Sequence, residues 1–289
     1  MVSSVNPALR KLILQWSIAL GIATALVIGA AISFWILPYL RQRNQVAGLK
    51  STTFETRVRI ASRFPAPGED EALRLVKRAM ANREPAKVGA LLHMGSASAA
   101  EVIGFFKDSD KRDGAVTRCE WLSSIDGDGL PLEGVQVAFK GNDKPVERLA
   151  LLTPDDNGVW KMDFDAFARS VRPSWHELLD NRAEQATVRV VVGRDAYFNG
   201  PFRDEKSWSC YAIASPDIDI LLRGYCKTGS AQETAMERLL VDGTGMSRAT
   251  LEIRRVEGAD ARQIEIISVL AKDWVVPYRN LTAGVPGKF

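Results

Sequence analysis

Thr117-Arg118-Cys119-Glu120-Trp121-Leu122-Ser123-Ser124 marks the point where the hydrophobic period of the chain changes. Upstream, apolar residues recur at helical spacing, as Val102, Ile103 and Phe106 do; from here onward they alternate with polar ones. Further strands are expected at 134–140, 146–153 and 159–164, separated by Asp-Gly, Gly-Asn and Asp-Asp-Asn-Gly, which favour tight turns. Working back, Leu73, Val76 and Met80 place a helix at 69–82, and a short helix follows Pro85 at 86–93. A third helix at 99–107 has Ser96 or Ser98 as its cap. Helices that cover one face of an antiparallel meander make an α+β fold.

Working forward, Ser174 caps a helix at 175–185, and strands are expected at 187–192, 208–214, 218–226, 250–255 and 263–270, with a helix at 231–240 between them. This second half is again α+β. Its order, helix then strands, suggests a diverged repeat of the first half, although no residue-level repeat is visible. Phe64-Pro65-Ala66-Pro67-Gly68 punctuates the chain ahead of the first helix. The resulting domains are an N-terminal tail 1–11, a span 12–40, a basic linker 41–68, α+β domains at 69–170 and 171–277, and a tail 278–289.

The order of three helices and then a sheet, Glu71-Ala72-Leu73 in the first helix and the closing strand Gly158-Val159-Trp160-Lys161-Met162-Asp163-Phe164 resemble the nuclear-transport-factor-2-like (NTF2-like), or cone-shaped, superfamily over 69–168. The resemblance implies a curved sheet wrapped around a cavity. The whole chain is similar to uncharacterised membrane-anchored proteins of environmental bacteria, which implies no activity.

Between Lys11 and Arg41 lie 29 residues without a charge, 22 of them hydrophobic, with Trp16 near one end and Trp35 and Tyr39 near the other. About 20 apolar residues cross a bilayer, so a single transmembrane helix is expected at 12–40. A cleaved signal peptide has a shorter apolar core. Gly21, Ala25, Gly29 and Ser33 recur every fourth residue, either a small-residue stripe that lets the span pair with a second copy, as a homodimer, or with another span, or the ordinary abundance of such residues in membrane helices. Basic residues flank both ends, so charge barely fixes orientation. A short leading tail and a long remainder place the C-terminal domains outside the cytoplasm, anchored in the inner membrane.

The mild net charge of +3 divides unevenly: residues 1–63 carry eight basic and one acidic side chain, whereas 64–289 carry thirty basic and thirty-four acidic. An acidic body argues against nucleic acid as partner. The partners expected are the lipid bilayer and other membrane or envelope proteins.

Motifs for chemistry are sparse. With two histidines and three cysteines a zinc cluster built from these residue types is hard to assemble, and no cofactor is expected. Ser124-Ile125-Asp126-Gly127-Asp128-Gly129 has the opening of a calcium loop, but Val135 stands where the bidentate Glu belongs, so a hairpin turn is expected. His176-Glu177-Leu178-Leu179-Asp180 begins like a zinc-protease helix and lacks its second histidine. The inward faces expected of the first sheet, Trp160, Met162 and Phe164 with Val135, Val137 and Phe139, hold no general base; His93 and Asp108 remain as bases offered from outside them. No catalytic residue is assigned.

Two features of the second half invite a role. A symmetric hairpin about residue 218 sets Cys210 opposite Cys226, as a cross-strand disulfide or as two buried thiols. Tyr197, Phe198, Phe202 and Arg203, at a turn, form either an exposed recognition loop or a corner packed inward. Together these readings describe a membrane-anchored binding or scaffolding protein of the bacterial envelope. The alternative is an anchored enzyme or small-ligand binder using the cavity of the first domain.

Overall fold

A computed structural model describes residues 64–277 apart from 128, 143–144 and 242–244. The span at 12–40, its small-residue stripe, the basic linker up to residue 63 and the tail 278–289 lie outside the described residues. Among the described residues no helix is long and apolar enough to cross a membrane. The fold is α+β with two mixed sheets, each closing over its own apolar core.

The first lobe runs α1 (Glu69–Ala81), α2 (Pro85–Leu91), β1 (Leu92–His93), α3 (Ala99–Arg112), β2 (Val116–Asp126), β3 (Pro131–Phe139), β4 (Val146–Pro154), β5 (Trp160–Asp163) and α4 (Phe164–Ala168). Its sheet order is β1-β5-β4-β3-β2, antiparallel except for β1, which runs parallel to β5. The Ser98 hydroxyl accepts from the Glu101 N–H while the Glu101 carboxylate accepts from the Ser98 N–H, a reciprocal cap that fixes the start of α3. Ala72, Val76, Val102, Ile103 and Phe106 from the helices bury against Val135, Val137, Ala150 and Met162. The chain enters along this core: the Trp160 indole donates to the Pro65 carbonyl at 2.9 Å, and the Phe64 ring fills the space a side chain at Gly158 would need.

The second lobe comprises α5 (Trp175–Leu179), β6 (Gln185–Asp195), a 3-10 turn (Gly200–Phe202), β7 (Trp208–Ala214), β8 (Leu222–Lys227), α6 (Ala231–Leu239), β9 (Met246–Arg255) and β10 (Gln263–Lys272). Its five strands close as a barrel in the order β10-β8-β7-β6-β9, with β8 parallel to β10. One helix, α6, lies between the third and fourth of these strands in chain order. An open sheet and a closed barrel are different architectures, so the second half does not repeat the first. Val188, Val190, Ile213, Leu222, Leu251, Ile253 and Ile266 fill the barrel, and Met236 and Leu239 of α6 pack against them. Gly224 is required inside: a Cβ there would lie 2.5 Å from Ile213 and 2.8 Å from Ile266. The helix expected at 175–185 stops at Leu179, because Asn181 takes a left-handed φ of 62° and the Arg182 and Ala183 N–H groups turn back onto the Glu177 carbonyl.

Candidate functional site

The first place to examine is the inward face of the open sheet. Strand β3 begins three residues before the expected Gly134, and this brings Glu133 onto the same face as Val135 and Val137. Its carboxylate is buried and accepts from the Trp121 indole and from the Ser124 hydroxyl, both at 2.6 Å. Arg148 of β4 shares a face with Ala150 and Leu152; its Nε donates to Asp113 at 2.8 Å. Asp113 also accepts from Arg112 and from the Ser109 hydroxyl. Two charged groups therefore lie inward where none was expected. The alternation that identified Val135 and Val137 also marks Glu133, had the strand been extended. Glu133 and Arg148 are both engaged by neighbouring side chains, and apolar side chains occupy the face between them.

The two bases offered from outside these strands stay apart from that face's charges. His93 in β1 lies 3.3 Å from the Thr153 carbonyl through Nε2, and burial lowers its pKa while that carbonyl opposes the shift. Asp108 is on the exposed side of α3. His176 and Asp180 do meet, Nδ1 to Oδ2 at 3.0 Å, on an exposed helix turn. Among the described residues no group of three His, Cys, Asp or Glu side chains is placed to hold a metal ion. Ser124 is committed to Glu133, and Asp126 accepts from the Gly129 N–H at 2.7 Å, closing a turn.

On the outside of strands β7 and β8 the chain packs a corner of its own. Phe202 is fully buried, stacked on Tyr225 with ring centroids 4.0 Å apart and edge-on to Trp208 at 4.8 Å. Phe198, Val256 and Ala259 complete the cluster. The Tyr225 hydroxyl donates to the Tyr197 carbonyl at 2.7 Å. Of the expected recognition loop, Phe202 and Phe198 point inward. Tyr197 remains 40% exposed beneath the Arg223 guanidinium, and Arg203 is exposed. Stacking on Tyr225 removes more apolar surface from water than an exposed loop would, which decides between the two alternatives.

Cys210 does not face Cys226. The hairpin pairs Cys210 with Tyr225 and Ser209 with Cys226, one residue off the symmetric register, so the two thiols lie on opposite faces of the barrel wall. The connection at 215–221 between these strands carries Asp217, which accepts from Arg169 of the other lobe. Burial pushes the Cys226 thiol up to about 12 and raises that of Cys210. Both are expected to react slowly with maleimide in the native state, and all three thiols to react once the chain is unfolded without reductant. A single reacting thiol under those conditions would restore the disulfide.

The junction between the lobes holds the richest set of polar groups. Arg169, a left-handed residue (φ 51°) ending α4, grips Asp217 with Nε and Nη2 at 2.8 and 2.7 Å and reaches the Glu147 carbonyl. Arg189 on the outside of the barrel donates to the Trp274 and Ser170 carbonyls at 2.9 and 3.0 Å and lies 3.4 Å from Asp165. Gly95 packs onto that carboxylate so closely that a Cβ would sit 2.2 Å from Oδ2. Beside this network opens a cleft of about 500 Å³, lined by Phe105, Phe164, Trp175, Arg172 and Glu101 among others. No sequence motif marks it, since its residues come from both halves of the chain.

No family model, no curated protein and no solved structure matches the chain.

Proposed function

We infer that this chain is a single-pass, membrane-anchored binding or scaffolding protein of the bacterial envelope, with an NTF2-like domain followed by a barrel domain. The observation that carries the reading is how the interiors are used. Apolar side chains of the chain fill the concave face and the barrel, and the inward charges of Glu133 and Arg148 are engaged by neighbouring residues. A body built this way works through its outer surface. Three helices ahead of a four-stranded meander, closed by a short strand parallel to the last, support the NTF2-like assignment of the first domain. The uncharged run at 12–40 supports inner-membrane anchoring, and the stripe at Gly21, Ala25, Gly29 and Ser33 supports pairing of two copies there.

The alternative is an enzyme or ligand binder working from the cavity of the first domain. It needs an inward polar group available to a substrate, and both oxygens of the one inward carboxylate of β3 already accept hydrogen bonds. Topology is tested by fusing a reporter after residue 289 that is active only outside the cytoplasm. Activity of that fusion is expected; activity confined to a cytoplasmic reporter at the same position overturns export.

A further inference from the structure

The geometry points to the cleft between the lobes as a binding site for a small apolar monocarboxylate. The site is separate from the cavity of the first domain and does not depend on where the chain is anchored.

Its floor is aromatic, made of Phe105 and Phe164 from one lobe and Trp175 from the other. A junction between lobes, with few polar groups over an apolar floor, is where small-molecule sites concentrate, and about 500 Å³ is within their usual range. What singles the cleft out is the state of its donors. The guanidinium groups of Arg148, Arg169 and Arg189 all donate to acceptors within the chain. Arg172 differs. Its backbone is fixed by reciprocal hydrogen bonds with Thr187 at 3.1 and 2.9 Å, while its side chain is 42% exposed. Among the described residues its acidic partners are two long ion pairs, Glu101 Oε1 at 3.8 Å and Asp165 Oδ1 at 4.0 Å, weaker than the close contacts of the other three arginines. Trp175, 9% exposed, has an indole Nε1 with no hydrogen-bond partner among the described residues. An enclosed indole N–H without an acceptor is costly, and a ligand oxygen is what would satisfy it.

Arg172 and Trp175 both line the cleft, and a carboxylate suits donors of these two kinds, because it offers two acceptor oxygens to a guanidinium fork and has lone pairs left for an indole. A single negative charge is the most the site takes. Arg169, Arg172 and Arg189 already balance Asp217, Asp165 and Glu101, so one carboxylate binds Arg172 only as Glu101 moves away from it, and a dianion would meet net repulsion. Glu101 is the group a ligand would displace. It can yield Arg172 and keep its capping role, since its other oxygen accepts from the Ser98 N–H. His176 at the edge is held by Asp180.

The test uses the full chain in detergent with 15N-labelled tryptophan and phenylacetate as probe. The Trp175 indole signal is identified as the one missing from Trp175→Phe. Phenylacetate is expected to move that signal saturably, whereas benzyl alcohol, of similar size but uncharged, leaves it in place. Arg172→Gln should weaken the probe by about tenfold or more, as loss of a charge-assisted hydrogen bond does. Glu101→Gln, which keeps a capping side chain, should tighten it. The other indole signals report that each variant is folded. A Trp175 signal that does not move, that moves equally with benzyl alcohol, or that responds identically in Arg172→Gln overturns the proposal.

Discussion

Asp113→Ala is expected to cost about 3–5 kcal/mol of unfolding free energy, because it strands a buried arginine. Arg148 is enclosed among Asp113, the Phe167 carbonyl and the face of Phe105; the 2.8 Å bond to Asp113 is its close carboxylate contact, while Asp217 and Arg169 act on it through charge in opposite directions. Removing the aspartate leaves that charge with a weak carbonyl contact at 3.4 Å and a ring, which cannot repay its lost hydration. The opposite deletion should be milder. In Arg148→Met, Asp113 keeps two bonds from Arg112 and one from Ser109, and a linear apolar side chain replaces the buried stem. Denaturant unfolding of both variants measures the asymmetry; equal costs would mean that the pair acts only as packing.

The same group sets an acid limit. Burial alone would raise the Asp113 carboxyl, but hydrogen bonds and charge from Arg112 and Arg148 outweigh it and hold the pKa at about 2, below the ordinary 3.8. A carboxyl with a depressed folded pKa contributes stability that is fully present above pH 3.8 and is lost as pH falls towards 2. The unfolding free energy of the native chain should therefore fall over that interval more steeply than that of Asp113→Ala. Parallel curves would remove Asp113 from the acid response.

How far the sequence foretold these sites depends on the range of the interactions that make them. Strand β7 has the expected bounds, Trp208–Ala214, because alternation and flanking turn residues are local signals. The caps at Ser98 and Ser174 were legible for the same reason. Strand β1 was not. Leu92 and His93 have no strand signal of their own and become a strand only through parallel pairing with Met162 and Asp163. Closure of the barrel likewise rests on pairing Gln263, Ile264 and Glu265 with Arg223, Gly224 and Tyr225, a contact between distant segments that alternation does not encode. The hairpin register is not legible either, since the connection between its strands is seven residues long and pairs Asp217 with Arg169, far away in the chain. Glu133 was overlooked for a different reason. A carboxylate beside turn residues reads as solvent-facing until its donors, Trp121 and Ser124 on the neighbouring strand, are placed opposite it.

The corner at 196–207 separates burial from display most sharply. Phe202→Ala is expected to cost about 3–5 kcal/mol, the usual penalty for emptying a buried aromatic site. The residue is wholly enclosed, and its loss unstacks Tyr225, exposes the edge of Trp208 and undercuts the segment that covers strands β7 and β8. Tyr197→Ala should cost less than about 1 kcal/mol. It removes a partly solvated contact with Arg223, while the Tyr197 carbonyl that receives the Tyr225 hydroxyl belongs to the backbone and persists. Thermal unfolding of the two variants measures the contrast. If this corner recognised a partner through all of its aromatics, the order of effects on stability would invert, with Phe202 dispensable to folding. The expected order makes Phe202 a structural plug and leaves Tyr197 and Arg203 as the only members of the set still exposed to a partner.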